Sequence, residues 1–375
     1  MRIACIAAAR VPSRTANSIQ VMKVAQSMAE LGHEVEVLLP GPTPNVAWED
    51  VSRRYGLRIR FSIRWLAAHP VARRYDFAVR AVRAARSGQA DLVYAWSVPA
   101  AALSARLGVA TLLEMHAPPR GWGRFWFSWF LRAPGARRVT PITHALERML
   151  AQEYAGWARG PGGPVLPMGV DFEAYANHPS PARARAELGL REGITAGYTG
   201  HLYPGRGTDL MFELAGRHPE FQFLWVGGEE RAVAHWRKRQ MDSAGMPNLQ
   251  IIGFVDQDRL PAYQAASDVL LMPYEMRVGV SSGGDTAAFA SPMKMMEYLA
   301  AGRAILASDL PAIREILHEK IARLVPPEDV AAWSHALREL GEDASQRESL
   351  GNAAREEAAR HTWRERTLRA LEGLP

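Results

Sequence analysis

The chain predicts an α/β protein built from two Rossmann-like halves. Short apolar runs of strand length alternate with longer amphipathic stretches along most of its length, the pattern of βαβ units and parallel sheets. Glycine-bearing turns follow several of those runs, as strand-to-helix connections require. Its 375 residues exceed the length at which one hydrophobic core keeps growing, so two domains are expected.

In the first half, Ile3–Ala8, Val35–Leu39, Leu92–Ala95, Ala110–Glu114 and Val139–Ile142 read as strands. Between the first two lies Ile19–Leu31, apolar at helical spacing and stopped by Gly32. Residues 73–87 form a second amphipathic helix with a basic outer face. A similar series begins near Ala196: strands at Gly197–Gly200, Phe221–Gly227, Leu249–Gly253, Val269–Pro273 and Ala304–Ser308. Helices over 208–217, 230–243, 258–267 and 292–301 separate them. The Gly-, Pro- and Ala-rich segment 155–190 reads as the hinge. The expected division is a first domain over 1–175, a second over 176–355, and a terminal helical segment over 356–375.

The chain is 48% hydrophobic and 22% charged, ordinary values for a folded protein. Its single cysteine, Cys5, excludes an internal disulfide framework and a cysteine-rich metal site, and fits a reducing cytoplasm. Met1–Ala9 reads as a buried first strand, since Arg10 ends the apolar stretch before a leader-like cleavage site. No run reaches the roughly 20 apolar residues that cross a bilayer. Residues 1–175 carry 22 Lys and Arg against 12 Asp and Glu, while the remainder carries 23 against 27. This asymmetry suits an anionic partner of the first half, or else Arg-rich solvated faces.

Three constellations carry chemistry. Gly200-His-Leu-Tyr-Pro-Gly-Arg206-Gly207 follows a strand and opens a helix, so free backbone N–H groups and Arg206 point to a phosphate. About 90 residues on, Ser291-Pro-Met-Lys-Met-Met-Glu297-Tyr is a loop and helix that puts one carboxylate beside the carboxyl end of a parallel sheet. Open α/β folds bind nucleotides there, and Glu297 can accept two hydrogen bonds from a ribose diol. In the first half, Glu114-Met-His116 brings a histidine to a strand end.

Two further features are weighed. Arg120-Gly-Trp-Gly-Arg-Phe-Trp-Phe-Ser-Trp-Phe-Leu-Arg132, with Arg53–Trp65 and the 73–87 helix, mixes aromatics with arginines as an anionic membrane surface would. Its plainer reading is an amphipathic helix packed on a sheet. Asp256-Gln-Asp258 could hold a divalent ion, yet its place before the 258–267 helix favours helix capping. No nucleic-acid-binding module is visible. No Gly-x-Gly-x-x-Gly follows the first strand, which argues against a dinucleotide dehydrogenase.

These motifs, above all residues 196–207 and 291–315, resemble the retaining glycosyltransferases of family 4 and GT-B fold. The resemblance implies two Rossmann-like domains facing each other across a cleft, with the terminal helix crossing back to the first near Trp363. It implies transfer of a sugar from a nucleotide diphosphate sugar to an acceptor hydroxyl, with no metal and no other cofactor. The acceptor would be a glycan or a lipid-linked molecule. From the lone cysteine and the basic aromatic surface, the expected place is the cytoplasm, with the option of peripheral attachment to the membrane's inner face.

Carried over residue by residue, Arg206 and His116 would be catalytic, with His116 touching the transferred sugar. His201 and Arg206 stand where the family has Arg and Lys on the donor diphosphate. Backbone N–H groups of Met293 and Lys294 would hold the distal phosphate, and Glu297 the ribose. Phe289 occupies the position of a first glutamate. Gly227 and Val255 would wall the base. Thr15, Ala16, Asn17 and Ser18 match the family's acceptor and phosphate loop, with Thr15-Ala16 in place of two glycines and Asn17 or Ser18 as helix cap. A sugar-nucleotide epimerase of the same fold and a non-catalytic nucleotide-sugar-binding subunit remain alternatives.

Overall fold

A computed structural model of the chain describes residues 1–69, 75–154, 156–157, 160–177, 179–243, 245–277 and 287–374. By its contacts the chain divides into two compact units: Met1–Met168 with Trp363–Pro375, and Gly169–Thr362.

The first unit runs β1 (Arg2–Ile6), α1 (Ala16–Glu30), β2 (Glu34–Pro40), α2 (Trp48–Tyr55), β3 (Ser62–Leu66) and α3 (Tyr75–Ser87). It continues β4 (Leu92–Ala95), α4 (Val98–Arg106), β5 (Ala110–Met115), α5 (Trp122–Leu131), β6 (Ala136–Pro141) and α6 (His144–Glu153). The strands form one parallel sheet in the order β3-β2-β1-β4-β5-β6. Ile3, Ala4, Cys5 and Ile6 of the central β1 are all at most 2% exposed, as expected of a strand covered by helices on both faces. The order reverses between β1 and β4, so the segments leaving those strands open at a topological switch point.

The second unit holds α7 (Pro181–Leu188), β7 (Thr195–Thr199), α8 (Thr208–Arg217), β8 (Gln222–Val226), α9 (Glu230–Asp242) and β9 (Leu249–Gly253). After these come α10 (Leu260–Ala265), β10 (Val269–Met272), α11 (Met293–Ala301), β11 (Ala304–Ser308), β12 (Arg323–Val325), α12 (Val330–Glu342) and α13 (Ala344–Ala358). Its parallel sheet has the order β12-β11-β10-β7-β8-β9, with the reversal between β7 and β10. Trp225, Trp333, Phe223 and Leu306, all at most 1% exposed, fill one face of that sheet. The loops after β7 and β10 carry the two motifs singled out in the second half of the sequence.

The last helix, α14 (Trp363–Leu371), belongs to the first unit and packs on α1. The Ser27 hydroxyl donates to the Trp363 carbonyl at 2.9 Å, and Trp363 is 6% exposed. Arg138 of β6 closes the helix end by donating to the carbonyls of Ala370 and Glu372, each at 2.7 Å.

Several details differ from the sequence expectations. Helix α1 starts at Ala16, and the side chain that caps it is Thr15, which accepts from the Ser18 N–H; neither Asn17 nor Ser18 caps it. Helix α10 is shorter than 258–267, because Pro261 suits only a first turn. Its N-cap is Arg259, without a side-chain cap, so the Asp256–Asp258 pair does not cap that helix. The Arg53–Trp65 stretch is divided between the end of α2 and the edge strand β3. Residues 73 and 74 of the basic helix, and 155, 158, 159 and 178 of the presumed hinge, lie outside the described residues.

Candidate functional site

In the second unit, the loop after β7 and the helix after β10 meet at the switch point. Gly200 follows β7, and its backbone N–H donates to the Val226 carbonyl at 2.8 Å. Gly227, at the end of β8, packs so closely on this loop that a Cβ there would sit 2.3 Å from the Gly200 carbonyl oxygen. Only glycine allows that approach. Gly207 opens α8 with a φ of +68°, and a Cβ on it would lie 2.0 Å from the Pro273 carbonyl. The loop is thus pressed against the exits of both β8 and β10.

Lys294 reaches into this junction from the first turn of α11. Its Nζ sits 3.7 Å from the ring centroid of Tyr198 and 5.4 Å from that of Tyr274, while the Arg206 guanidinium lies 4.7 Å over Tyr274. Two cations therefore share a cage of tyrosine faces. Lys294 Nζ is buried and has no hydrogen-bond partner among the described residues. Burial pushes its ammonium well below the ordinary lysine range, and the Arg206 charge pushes the same way against the weaker pull of Glu297. The Lys294 amine thus lies inside the unit.

Glu297, one turn along α11, is held by a relay that the sequence did not suggest. Gln264 of α10 donates to Glu297 Oε2 at 3.5 Å and to Thr199 Oγ1 at 3.0 Å, and Tyr175 donates to Gln264 Oε1 at 2.7 Å. The next residue, Tyr298, accepts the Thr199 backbone N–H at 2.8 Å and so ties α11 to the end of β7. Helix α11 is preceded by Pro292, which supplies no side-chain cap, leaving the N–H groups at Met293 and Lys294 available. Phe289, ahead of this helix, is 4% exposed and part of the core.

The other predicted residues of this unit are placed around the same sheet edge. The His201 ring stacks on Tyr203 with centroids 4.6 Å apart, and the Tyr198 hydroxyl donates to the His201 carbonyl at 2.6 Å. Val255 lies beyond β9, two strands from β7, and its side chain packs against the core cluster of Leu224, Val226 and Tyr263.

In the first unit, His116 follows β5 and is bound from several elements. Its Nε2 lies 2.7 Å from Glu114 Oε1 and 3.1 Å from Gln20 Nε2 of α1. Glu114 is fully buried, and it also accepts from Gln20, from the Tyr94 hydroxyl of β4, and from Arg366 of α14 at 2.8 Å. Burial alone would raise the Glu114 carboxyl; Arg366 and His116 outweigh it and hold the group far below the usual carboxylate range.

The 15–18 segment opens α1, the helix that supplies Gln20. Ser18 is fully buried and its hydroxyl donates to the Thr15 carbonyl at 2.8 Å, while Ala16 and Asn17 are exposed. Of these four residues, only Thr15, Ala16 and Asn17 therefore have surface to offer a ligand. Sequence reasoning found His116 but missed Glu114, Gln20, Tyr94 and Arg366. The one local signal was the spacing of Glu114 and His116, two residues apart at the end of β5. In the second unit it missed Tyr198, Tyr274, Gln264 and Tyr298.

Among the described residues no group of three His, Cys, Asp or Glu side chains is placed to hold a metal ion. No described helix is long and apolar enough to cross a membrane.

Comparison with known proteins follows this division. Residues 18–173 match the family model for glycosyltransferase family 4, and residues 194–343 match that for glycosyl transferases group 1. A protein named for teichuronic acid biosynthesis, the glycosyltransferase TuaH of Bacillus subtilis, is 29% identical over 192 residues; the match spans 50% of this chain and 45% of TuaH. The phosphatidyl-myo-inositol mannosyltransferase of Mycolicibacterium smegmatis is 27% identical over 359 residues, covering 92% of this chain and 85% of that protein. Among solved structures, HepE of Anabaena in complex with UDP aligns over 100% of this chain and 99% of its own, with a TM-score of 0.75 at 16% identity. Sucrose-phosphate synthase of Thermosynechococcus elongatus aligns over 98% and 97%, with a TM-score of 0.73 at 19% identity. With a family match in each unit and both parallel sheets shared with these structures, the chain belongs to the family 4-like glycosyltransferases of GT-B fold.

Proposed function

We propose that this glycosyltransferase moves a sugar from a nucleotide diphosphate sugar to an acceptor hydroxyl with retention of anomeric configuration and without a metal ion. The observation that carries the donor reading is the buried, unpartnered Lys294 amine beside Arg206 at the switch point. Two basic side chains caged by aromatic faces suit a diphosphate. Glu297 is held where a ribose diol can donate to it, and the N–H groups of Met293 and Lys294 suit the distal phosphate. His201 and Gly227 line the same loop, with the Val255 main chain reading the base edge.

The reaction would break the bond between the anomeric carbon and the phosphate oxygen and form one to the acceptor oxygen on the same face. The acceptor proton would pass to the departing phosphate. Catalysis then rests on positioning and on stabilising the diphosphate as its charge grows, the part assigned to Arg206. His116 is assigned to the transferred sugar, and the turn at Thr15, Ala16 and Asn17 to the acceptor.

The acceptor class we propose is lipid-linked or cell-envelope glycan, in keeping with the two bacterial relatives named above. The surface of the first unit supports it. On α5, Trp122 and Phe125 are 68% and 55% exposed, and they form a chain of ring contacts with Trp126 and Trp129. Arg106 stacks over Trp129, while Arg120 and Arg132 flank the helix and Arg80, Arg83 and Arg86 are exposed on α3. Aromatics with a cationic surround fit an anionic membrane face on the cytoplasmic side.

Calorimetry and transfer assays with a panel of nucleotide diphosphate sugars test the proposal. A donor at 100 times its dissociation constant should stabilise the protein by about 2.7 kcal/mol. Transfer should persist in a chelator, and the product linkage should keep the donor's anomeric configuration by NMR. Free nucleoside diphosphate with an epimerised sugar would overturn the transferase assignment. Binding without turnover on any acceptor would favour a donor-binding subunit. Co-sedimentation with anionic vesicles should weaken for Trp122→Ala combined with Phe125→Ala; unchanged sedimentation would remove the membrane surface.

A further inference from the structure

The network around His116 determines more than where the ring sits. Glu114 Oε1 faces His116 Nε2 at 2.7 Å and Arg366 at 2.8 Å, and Gln20 and Tyr94 also donate to this carboxylate. With so many donors turned toward it, Glu114 is an acceptor on every side. A ring nitrogen 2.7 Å from such an oxygen must carry a hydrogen, because two lone pairs at that distance repel. Gln20 Nε2, at 3.1 Å from the same ring nitrogen, offers no lone pair and is a packing neighbour. Neutral His116 is then the Nε2–H tautomer. Its Nδ1 is the nitrogen with a free lone pair, and it has no hydrogen-bond partner among the described residues. The side chain is 31% exposed.

Arg366 is what makes the buried carboxylate tenable. It lies on α14, more than 250 residues along the chain from β5, and is 1% exposed. Beyond Glu114 it donates to the carbonyls of Pro167 at 2.7 Å and Leu166 at 3.2 Å, so its guanidinium is fixed on three sides. Removing it would strand a buried negative charge.

We propose that Glu114 and Arg366 are positioning residues for His116: Arg366 compensates the buried carboxylate, and the carboxylate fixes the ring so that Nδ1 accepts a hydrogen bond from a hydroxyl of the substrate. The proposal rests on the glycosyltransferase reading of the first unit for its substrate hydroxyl. The terminal helix, through one side chain, thereby acts on the chemistry at the end of β5. A substrate group facing Nδ1 must be a donor, so a sugar whose hydroxyl there is replaced by a methoxy or fluoro group should turn over poorly.

The test that does not depend on activity is long-range nitrogen–proton NMR of histidine-labelled protein, with the His116 signal assigned by its loss in His116→Asn. At a pH where the ring carries one proton, the Nε2–H pattern is expected; the Nδ1–H pattern would overturn the proposal. Because Glu114→Gln alone leaves Arg366 uncompensated, the paired variant Glu114→Gln with Arg366→Met keeps the interior neutral. In it, the single-tautomer pattern should be lost and kcat should fall at least tenfold, while the dissociation constant of the nucleoside diphosphate alone, which carries no sugar, stays unchanged. Retention of both the pattern and kcat would overturn the positioning role. Should the wild-type ring show the Nε2–H pattern while no donor is turned over, the transferase reading fails and the fixed ring stands.

Discussion

Both units bury charge at the edge of a parallel sheet, but they resolve it in opposite ways. In the first, one carboxylate gathers Arg366, His116, Gln20 and Tyr94, so the charge is answered within the fold. In the second, Lys294 and Arg206 share aromatic faces, and the Lys294 amine has no hydrogen-bond partner among the described residues. A satisfied buried ion cluster adds little net stability, yet removing one member costs a great deal. An unsatisfied one costs stability until something binds. The first arrangement fixes a side chain, and the second leaves a place for an anion.

Mutations should separate these two kinds of site. Glu114→Gln breaks the compensated cluster, and urea unfolding should show a loss of about 3–5 kcal/mol. A loss below 1 kcal/mol would mean that the cluster is not closed. Arg206→Ala should cost about 2–4 kcal/mol of transition-state stabilisation in kcat/KM, with unfolding little changed. Near-wild-type transfer would remove Arg206 from the donor site. Lys294→Met is the sharpest contrast: it should weaken donor binding at least tenfold yet raise stability by about 1–3 kcal/mol, since an unpaired buried amine is removed. A destabilised Lys294→Met protein would mean that the amine already has a structural partner.

The smallest effect concerns protons. Burial and then Arg206 lower the Lys294 ammonium. A bound diphosphate favours the charged form and raises it again. Donor binding should therefore take up protons at pH values between the lowered and the raised position, and affinity should fall as pH rises through that window. Calorimetry in buffers of different ionisation enthalpy measures the uptake, which should vanish in Lys294→Met. The same lowering means that the folded chain binds fewer protons than the unfolded chain, so the stability gained by Lys294→Met should shrink as pH rises toward the ordinary lysine range.

The alternation of strands and helices was legible because parallel strands are apolar throughout and their helices are amphipathic. What escaped lay at the edges. Strand β3 carries Ser62 and Arg64 outward and reads as a basic surface; β12 has only three residues. Glu297, Arg206 and His116 could be found because their residue types and turn contexts are local. The cage around Lys294 could not, because Tyr198 and Tyr274 come from the ends of different strands and a tyrosine there looks like core. Arg366 was illegible for the same reason, since nothing near it in the chain marks it as the partner of Glu114. Long-range pairing between ordinary residues leaves no periodic trace.

Cys5 lies on the central strand of the first sheet, fully buried, with its Sγ 3.7 Å from Met28 Sδ. Burial raises its thiol and the charge of Glu114 adds to the effect, so it is inert to maleimides while the chain is folded. It is also the sole cysteine. A fluorophore attached through a cysteine placed at Met276 or Trp122, which are 61% and 68% exposed, will report from that one address in an otherwise natural chain.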